Sequence, residues 1–193
     1  MKLDDFVPKG LLSNNADKDA DDAISMLKAD HDKVKDLFKQ FEEIKDARGT
    51  RQKERIVAAA CKELTIHTKL EDEIFYPAVR AAIDDNDLMN EAKVEHAGAK
   101  ELIKQLGSMQ ASDEMFVAKF TVLSEYVKHH IDEEQNEMFP KVRKTELDLT
   151  ALGQKMLNRK HDLSAASKSG NGSRIATRKA KTNGGRARAQ SAR

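Results

Sequence analysis

A chain of 193 residues is long enough for one sizeable core and short for two. Charged residues make up 35% and aromatics 5%, with no Trp, a balance that suits amphipathic helices and argues against an aromatic-rich β-sandwich. The net charge of +1 conceals an asymmetry: residues 164–193 hold eight basic and no acidic residues, leaving 26 basic against 33 acidic in residues 1–163.

Residues 1–17 read as an irregular segment, because Pro8 and Ser13-Asn14-Asn15 oppose a long element. MKLDDFVPKG lacks the basic flank and apolar run of a signal peptide. No apolar run approaches the ~18–20 residues a membrane helix needs. With Cys61 as the single cysteine, no intramolecular disulfide framework exists, which fits a reducing compartment. A cytoplasmic protein with no membrane contact is expected.

Residues 18–160 read as one helical domain. From about Asp19, Ile24, Leu27, His31, Val34, Phe38 and Phe41 recur at three- and four-residue steps. Gly49-Thr50 separates this helix from the next, with Thr50 as the expected N-cap. The second helix carries Ile56, Ala60, Leu64, His67, Glu71 and Ile74 on one face and runs to about Ile83. Asp84–Asp87 turns the chain. The third helix presents Leu88, Ala92, His96, Ala99, Ile103 and Leu106, and Gly107-Ser108 closes it. Ser112, with Asp113 and Glu114 behind it, is expected to open a fourth helix. That helix carries Phe116, Phe120, Leu123, Val127, His130, Glu134 and Met138. Four amphipathic helices with short turns predict an all-α, antiparallel up-down-up-down four-helix bundle. A short fifth helix over about Glu146–Asn158 is expected outside it. Residues 161–193 are too polar to offset their ordering entropy and are expected to form a basic, disordered tail.

The most informative feature is an internal repeat. KADHDKVKDLFKQF, Lys28–Phe41, lies over KVEHAGAKELIKQL, Lys93–Leu106, with six identities in fourteen positions. HTKLEDEIFYP, His67–Pro77, lies over HIDEEQNEMFP, His130–Pro140, and both contain His-x-x-x-Glu with Pro six residues after the Glu. The offsets are 65 and 63 residues, so the chain reads as a duplicated helical hairpin. Residues four apart on a helix are surface neighbours. His67/Glu71 and His130/Glu134 can therefore each present a nitrogen and an oxygen to one region.

A single His on an apolar stripe reads as a packed core residue. Four His and two Glu kept on the core stripes of both copies read as a ligand set. Such ionisable groups are costly to bury bare, and a cation removes the cost. Imidazole with carboxylate suits Fe, Mn or Zn rather than Ca or Mg. His31, His67, Glu71, His96, His130 and Glu134 divide as two His per metal, with both Glu available to bridge. Pro77 and Pro140 either bend their helices around the metals or simply end them.

At these residues the sequence resembles the hemerythrin-like HHE cation-binding domains. The resemblance rests on His31, His67-x-x-x-Glu71, His96 and His130-x-x-x-Glu134, with LFKQF and EIFYP around them, and spans roughly residues 21–143. It implies a non-haem di-iron centre, two iron ions bridged by the two carboxylates, with Mn or Zn as second choices. It also implies handling or sensing of O2, NO, peroxide or iron, with a small diatomic or peroxide ligand at the metals. Oxygen carriers of this family place a further His one turn after the third-helix His. Lys100 stands there, which disfavours oxygen transport, and Glu95 or Glu101 are candidates to fill the gap.

Binding or sensing is preferred over dedicated turnover. The competing readings are a di-iron enzyme acting on peroxide or NO, and a helical module tethered to nucleic acid by residues 164–193 through non-specific charge contacts. No Glu-x-x-His occurs, so the ferritin-like pattern is absent. His129 is expected at the bundle surface, and Cys61 within the packing of the second helix.

Overall fold

A computed structural model describes residues 22–182, apart from the side chains of 167–182. The expected irregular segment 1–17 and residues 183–193 of the tail lie outside the described residues. Helix α1 spans Ala23–Ile44. Helix α2 comprises Thr50–Leu70, a π-helical turn at Glu71–Phe75 and Tyr76–Ala82. Helix α3 spans Asn86–Leu106. Helix α4 comprises Phe116–Glu133, a π-helical turn at Glu134–Met138 and Phe139–Val142. Helix α5 spans Leu149–Thr182. No described helix is long and apolar enough to cross a membrane.

Local chemistry sets the helix starts. The Asp22 carboxylate accepts from the Ser25 N–H at 2.8 Å, and Arg143 donates to its other oxygen at 3.0 Å, fastening the start of α1 to the end of α4. Gly49, not Thr50, caps α2, because Gly49 already takes the extended conformation and Thr50 is the first helical residue. Ser112 does not open α4. The Asp113 carboxylate accepts from the Gln110 N–H at 2.9 Å and its carbonyl from the Phe116 N–H at 3.0 Å, which holds residues 110–116 in turns.

Helices α1 to α4 run up, down, up and down around two apolar clusters. One gathers Ile24 and Leu27 of α1, Leu70, Phe75 and Val79 of α2, Leu88 and Met89 of α3, and Met138, Phe139 and Val142 of α4. The other gathers Val34, Phe38 and Phe41, Leu64, Ala99 and Leu106, and Phe120, Leu123 and Val127. Along every helix the candidate ligands fall between these clusters, so a polar layer is sealed by hydrocarbon above and below. Gly98 lets α3 and α4 approach beside that layer, since a Cβ there would stand 2.9 Å from the Tyr126 ring.

Helix α5 is the expected fifth helix, but longer. Leu152 and Met156 pack into the first cluster. Arg159 pairs with Glu73 at 2.7 Å, and Lys160 pairs with Asp30. The backbone continues as helix to Thr182, where the sequence reading expects a disordered tail from residue 161. The segment contains no Pro, and its Ala, Lys and Arg residues favour helix locally.

The prolines end neither helix. In each repeat a π-turn begins at the repeated Glu and closes just before Pro, with the Tyr76 N–H bonded to the Glu71 carbonyl and the Phe139 N–H to the Glu134 carbonyl. Proline lacks an N–H and clashes with the carbonyl four residues back. The wider turn accommodates both defects and lets the helix continue.

Candidate metal centre

The structure brings all six sequence-predicted residues into one layer. His31, His67, His96, His130, Glu71 and Glu134 are each between 0% and 6% exposed. Their inner atoms converge. His31 Nε2 lies 3.2 Å from His67 Nε2 and 3.1 Å from Glu134 Oε2. His67 Nε2 lies 3.1 Å from Glu71 Oε1, and His96 Nε2 lies 3.2 Å from Glu71 Oε2. His96 and His130 bring their Nε2 atoms to 3.2 Å. Two candidate ligand groups result, His31/His67/Glu71/Glu134 and Glu71/His96/His130, and Glu71 belongs to both.

The outward nitrogens follow the same repeat. His96 Nδ1 donates to Asp72 at 2.9 Å, and the Gln135 carboxamide lies 3.0 Å from His31 Nδ1. Asp72 and Gln135 each follow the Glu of their own copy. His130 Nδ1 donates to Glu95 at 2.7 Å. Asp30 occupies the matching place beside His67 Nδ1, at 3.9 Å, too far for a hydrogen bond. Asp30 and Glu95 each precede the His of their own copy. Outer partners of this kind fix ring orientation and leave the Nε2 lone pairs to face a cation. Asp72→Asn is expected to weaken metal affinity by about 10–100-fold, read by competition with a chelator.

The layer fits a cation. Both oxygens of Glu71, Glu134 Oε2 and His67 Nδ1 are buried without a hydrogen-bond partner among the described residues. Orphaned buried carboxylate oxygens are among the costliest groups a fold can hold, and a cation satisfies them directly. Without metal, charge pairs only partly compensate. Burial opposes protonation of His67, but the Glu71 charge and nearby Asp30 outweigh it and raise its pKa to about 10. At His96, Asp72 and Glu71 overcome burial and raise it to about 9. Burial pushes Glu71 up, yet the two imidazoles hold it well below the usual carboxylate range.

These shifts predict a pH dependence. The folded His values lie above the 6.5 of a free imidazole. Their contribution to the metal-free fold is therefore complete below pH 6.5 and lost as the pH rises through about 9 and 10. The Glu71 contribution is lost in acid, below its ordinary value of 4.5. A cation displaces the imidazole protons, so metal affinity rises over the same alkaline window. Thermal melts of metal-free protein from pH 7 to 10 should show falling stability, while metal titrations show tightening.

Tyr76, like the outer partners Asp72 and Gln135, is not singled out by the sequence. Its hydroxyl donates to Glu134 Oε1 at 2.9 Å and lies 3.3 Å from the Nε2 atoms of both His96 and His130. On a regular helix Tyr76, nine residues after His67, would point roughly 180° away from it. The π-turn rotates it inward. The signal was its pairing with Phe139 in the repeat, since Phe139 also turns inward and stacks on His31 at 5.9 Å. Lys100 is no part of the layer and pairs with Asp72. Glu95 accepts from His130 Nδ1 with one oxygen and faces His129 with the other, and Glu101 is exposed, so neither offers an oxygen to the inner side of the layer. His129 is at the surface, as expected, and Cys61 is buried.

A cavity of about 20 Å³ adjoins the four histidines, walled by Val34, Leu64, Ala99, Val127 and Ile131. It has room for one water-sized molecule.

Comparison with known proteins agrees with this architecture. The family described as the hemerythrin HHE cation-binding domain matches residues 22–142. The crystal structure of a hemerythrin HHE cation-binding domain-containing protein from Mycobacterium kansasii is similar, with a TM-score of 0.63 and 25% identity. That similarity covers 77% of this chain and 90% of the other. A DNA nickase from Nostoc sp. is 25% identical over 132 residues, which are 68% of this chain and 36% of the nickase. The chain thus spans about a third of that relative's length.

Proposed function

The chain belongs to the hemerythrin HHE cation-binding family, and on that premise we propose that it holds a non-haem pair of iron ions and senses or handles O2, NO, peroxide or iron. His31, His67, His96 and His130 would supply the nitrogen ligands, and Glu71 and Glu134 the carboxylate oxygens, with Glu71 facing both ligand groups. The observation that carries this reading is Glu71: fully buried, without a hydrogen bond, with one oxygen at His67 and the other at His96. A single carboxylate aimed at both ligand groups suits two ions better than one. Imidazole with carboxylate favours Fe, Mn or Zn.

Bound iron would supply a redox couple and a coordination position for a small ligand. The protein's own part is confinement and orientation. Tyr76 holds Glu134 by hydrogen bond and brings an O–H to the side of the layer nearest His96 and His130. Phe139, its counterpart, supplies only an apolar face to His31. The small apolar cavity favours a diatomic or peroxide-sized guest over a larger substrate. Lys100, tied to Asp72, offers no neutral nitrogen, which makes oxygen transport the least favoured use. Turnover of peroxide or NO at the same centre is the enzymatic alternative.

Anaerobic optical spectroscopy tests the reading. Reduced, iron-loaded protein should change its spectrum on adding O2, NO or peroxide. A spectrum indifferent to all three would refute it. Steady-state consumption of peroxide or NO would move the protein from sensor to enzyme.

A second reading adds nucleic-acid contact. It draws on the basic residues of 164–193 and on the name of the Nostoc relative. Salt-dependent DNA binding that disappears in a chain ending at Leu163 would support it.

A further inference from the structure

We propose a third, peripheral divalent-cation site made by His129, Glu133 and Glu95, which shares Glu95 with the buried centre. His129 and Glu133 repeat the His-x-x-x-Glu spacing of His130 and Glu134, displaced by one residue and so turned to the next face of α4. His129 Nε2 lies 3.2 Å from Glu133 Oε1 and 3.8 Å from Glu95 Oε1. First-row divalent ions hold such atoms at ~2.0–2.2 Å, which places neighbouring ligands about 3.4 Å apart in a tetrahedral site. The three ligand atoms lie within 4.8 Å of one another, so side-chain adjustment of an ångström or so would close them on one ion.

An ordinary surface ion pair would need only His129 and Glu133. Glu95 makes the difference. It is 6% exposed, yet its Oε1 is aimed outward at His129 while its Oε2 accepts from His130 Nδ1 at 2.7 Å. A buried carboxylate thus stands between an exposed imidazole and a buried one. His129 is largely exposed, so water can complete the coordination, as in open three-ligand sites. One imidazole and two carboxylates suit Fe²⁺, Zn²⁺ or Mn²⁺. An ion there would draw on Glu95 and change how firmly Glu95 orients His130.

The test is a Zn²⁺ titration of the full metal-free chain, with ions counted by elemental analysis after removal of free metal. His129→Ala and Glu133→Gln should each hold one ion fewer than the wild type, or bind that ion at least tenfold more weakly. Equal counts and affinities in wild type and both variants would overturn the proposal. The count remaining in the variants reads the buried centre separately, with two ions expected there. On the iron-loaded protein, added Zn²⁺ should shift the optical bands of the wild type and leave those of His129→Ala unchanged. A shift of equal size in both would contradict the link through Glu95.

Discussion

Glu71→Ala is expected to empty the buried centre of both ions, so that protein freed of loosely held metal by a chelator retains less than one iron per chain. Glu71 is the one side chain common to the two ligand groups. Each of its oxygens faces a different imidazole, His67 at 3.1 Å and His96 at 3.2 Å. Alanine removes a charged ligand from both positions at once. The loss of affinity should exceed the ~10–100-fold typical of an outer partner. The same change takes away the charge that helps hold His67 and His96 protonated in the metal-free state, so their pKa values should fall. Elemental analysis checks the first outcome and NMR titration of the imidazoles the second. Glu101→Ala, on α3 and exposed, is the control and should keep both ions.

Phe120→Ala should be the most damaging change to the fold outside the polar layer. Phe120 is fully buried and packs edge-on against Phe38 at 5.6 Å and Phe41 at 4.5 Å between ring centroids. Truncating a core Phe costs about 3–5 kcal/mol, through lost transfer energy and the cavity left behind. For a domain of this size that lowers the melting temperature by roughly 6–20 °C. Phe120 belongs to the apolar cluster on one side of the candidate ligands, so the variant that remains folded should bind metal as the wild type does. Calorimetry with and without bound metal separates the two effects. A lowered metal stoichiometry in folded protein would mean that the layer and the cluster are not mechanically independent.

Much of this arrangement was legible in the sequence because it obeys a single period. Leu27, His31, Val34, Phe38 and Phe41 stand on one helical stripe, and the stripe predicts both the core and the position of His31 within it. The duplication did the rest, by singling out His31, His67, His96 and His130, which the structure gathers in one buried layer. What stayed hidden lies where the helical period breaks. Tyr76 follows a π-turn, and a wheel drawn at 3.6 residues per turn sends it to the far face. Pro77 and Pro140 marked the right places, but a proline alone does not say whether a helix ends or widens by one residue. The outer partners were hidden for another reason. Asp72 looks like an ordinary surface acid in a chain with 35% charged residues and Glu95 reads as a candidate for the Lys100 gap, and only the packing of α2 on α3 and of α3 on α4 sets them against His96 and His130. The start of α4 was misplaced because Asp113 satisfies the backbone of a turn instead of a helix. The extent of α5 was missed because helix to Thr182 shows no apolar stripe in the sequence.

Metal content tests the buried cation pair most directly. Full-length protein expressed in iron-replete cells and freed of loosely held metal by a chelator should retain two iron ions per chain, with near-ultraviolet charge-transfer absorption that is lost on their removal. Fewer than one ion of any metal per folded chain, with no such absorption, would contradict it.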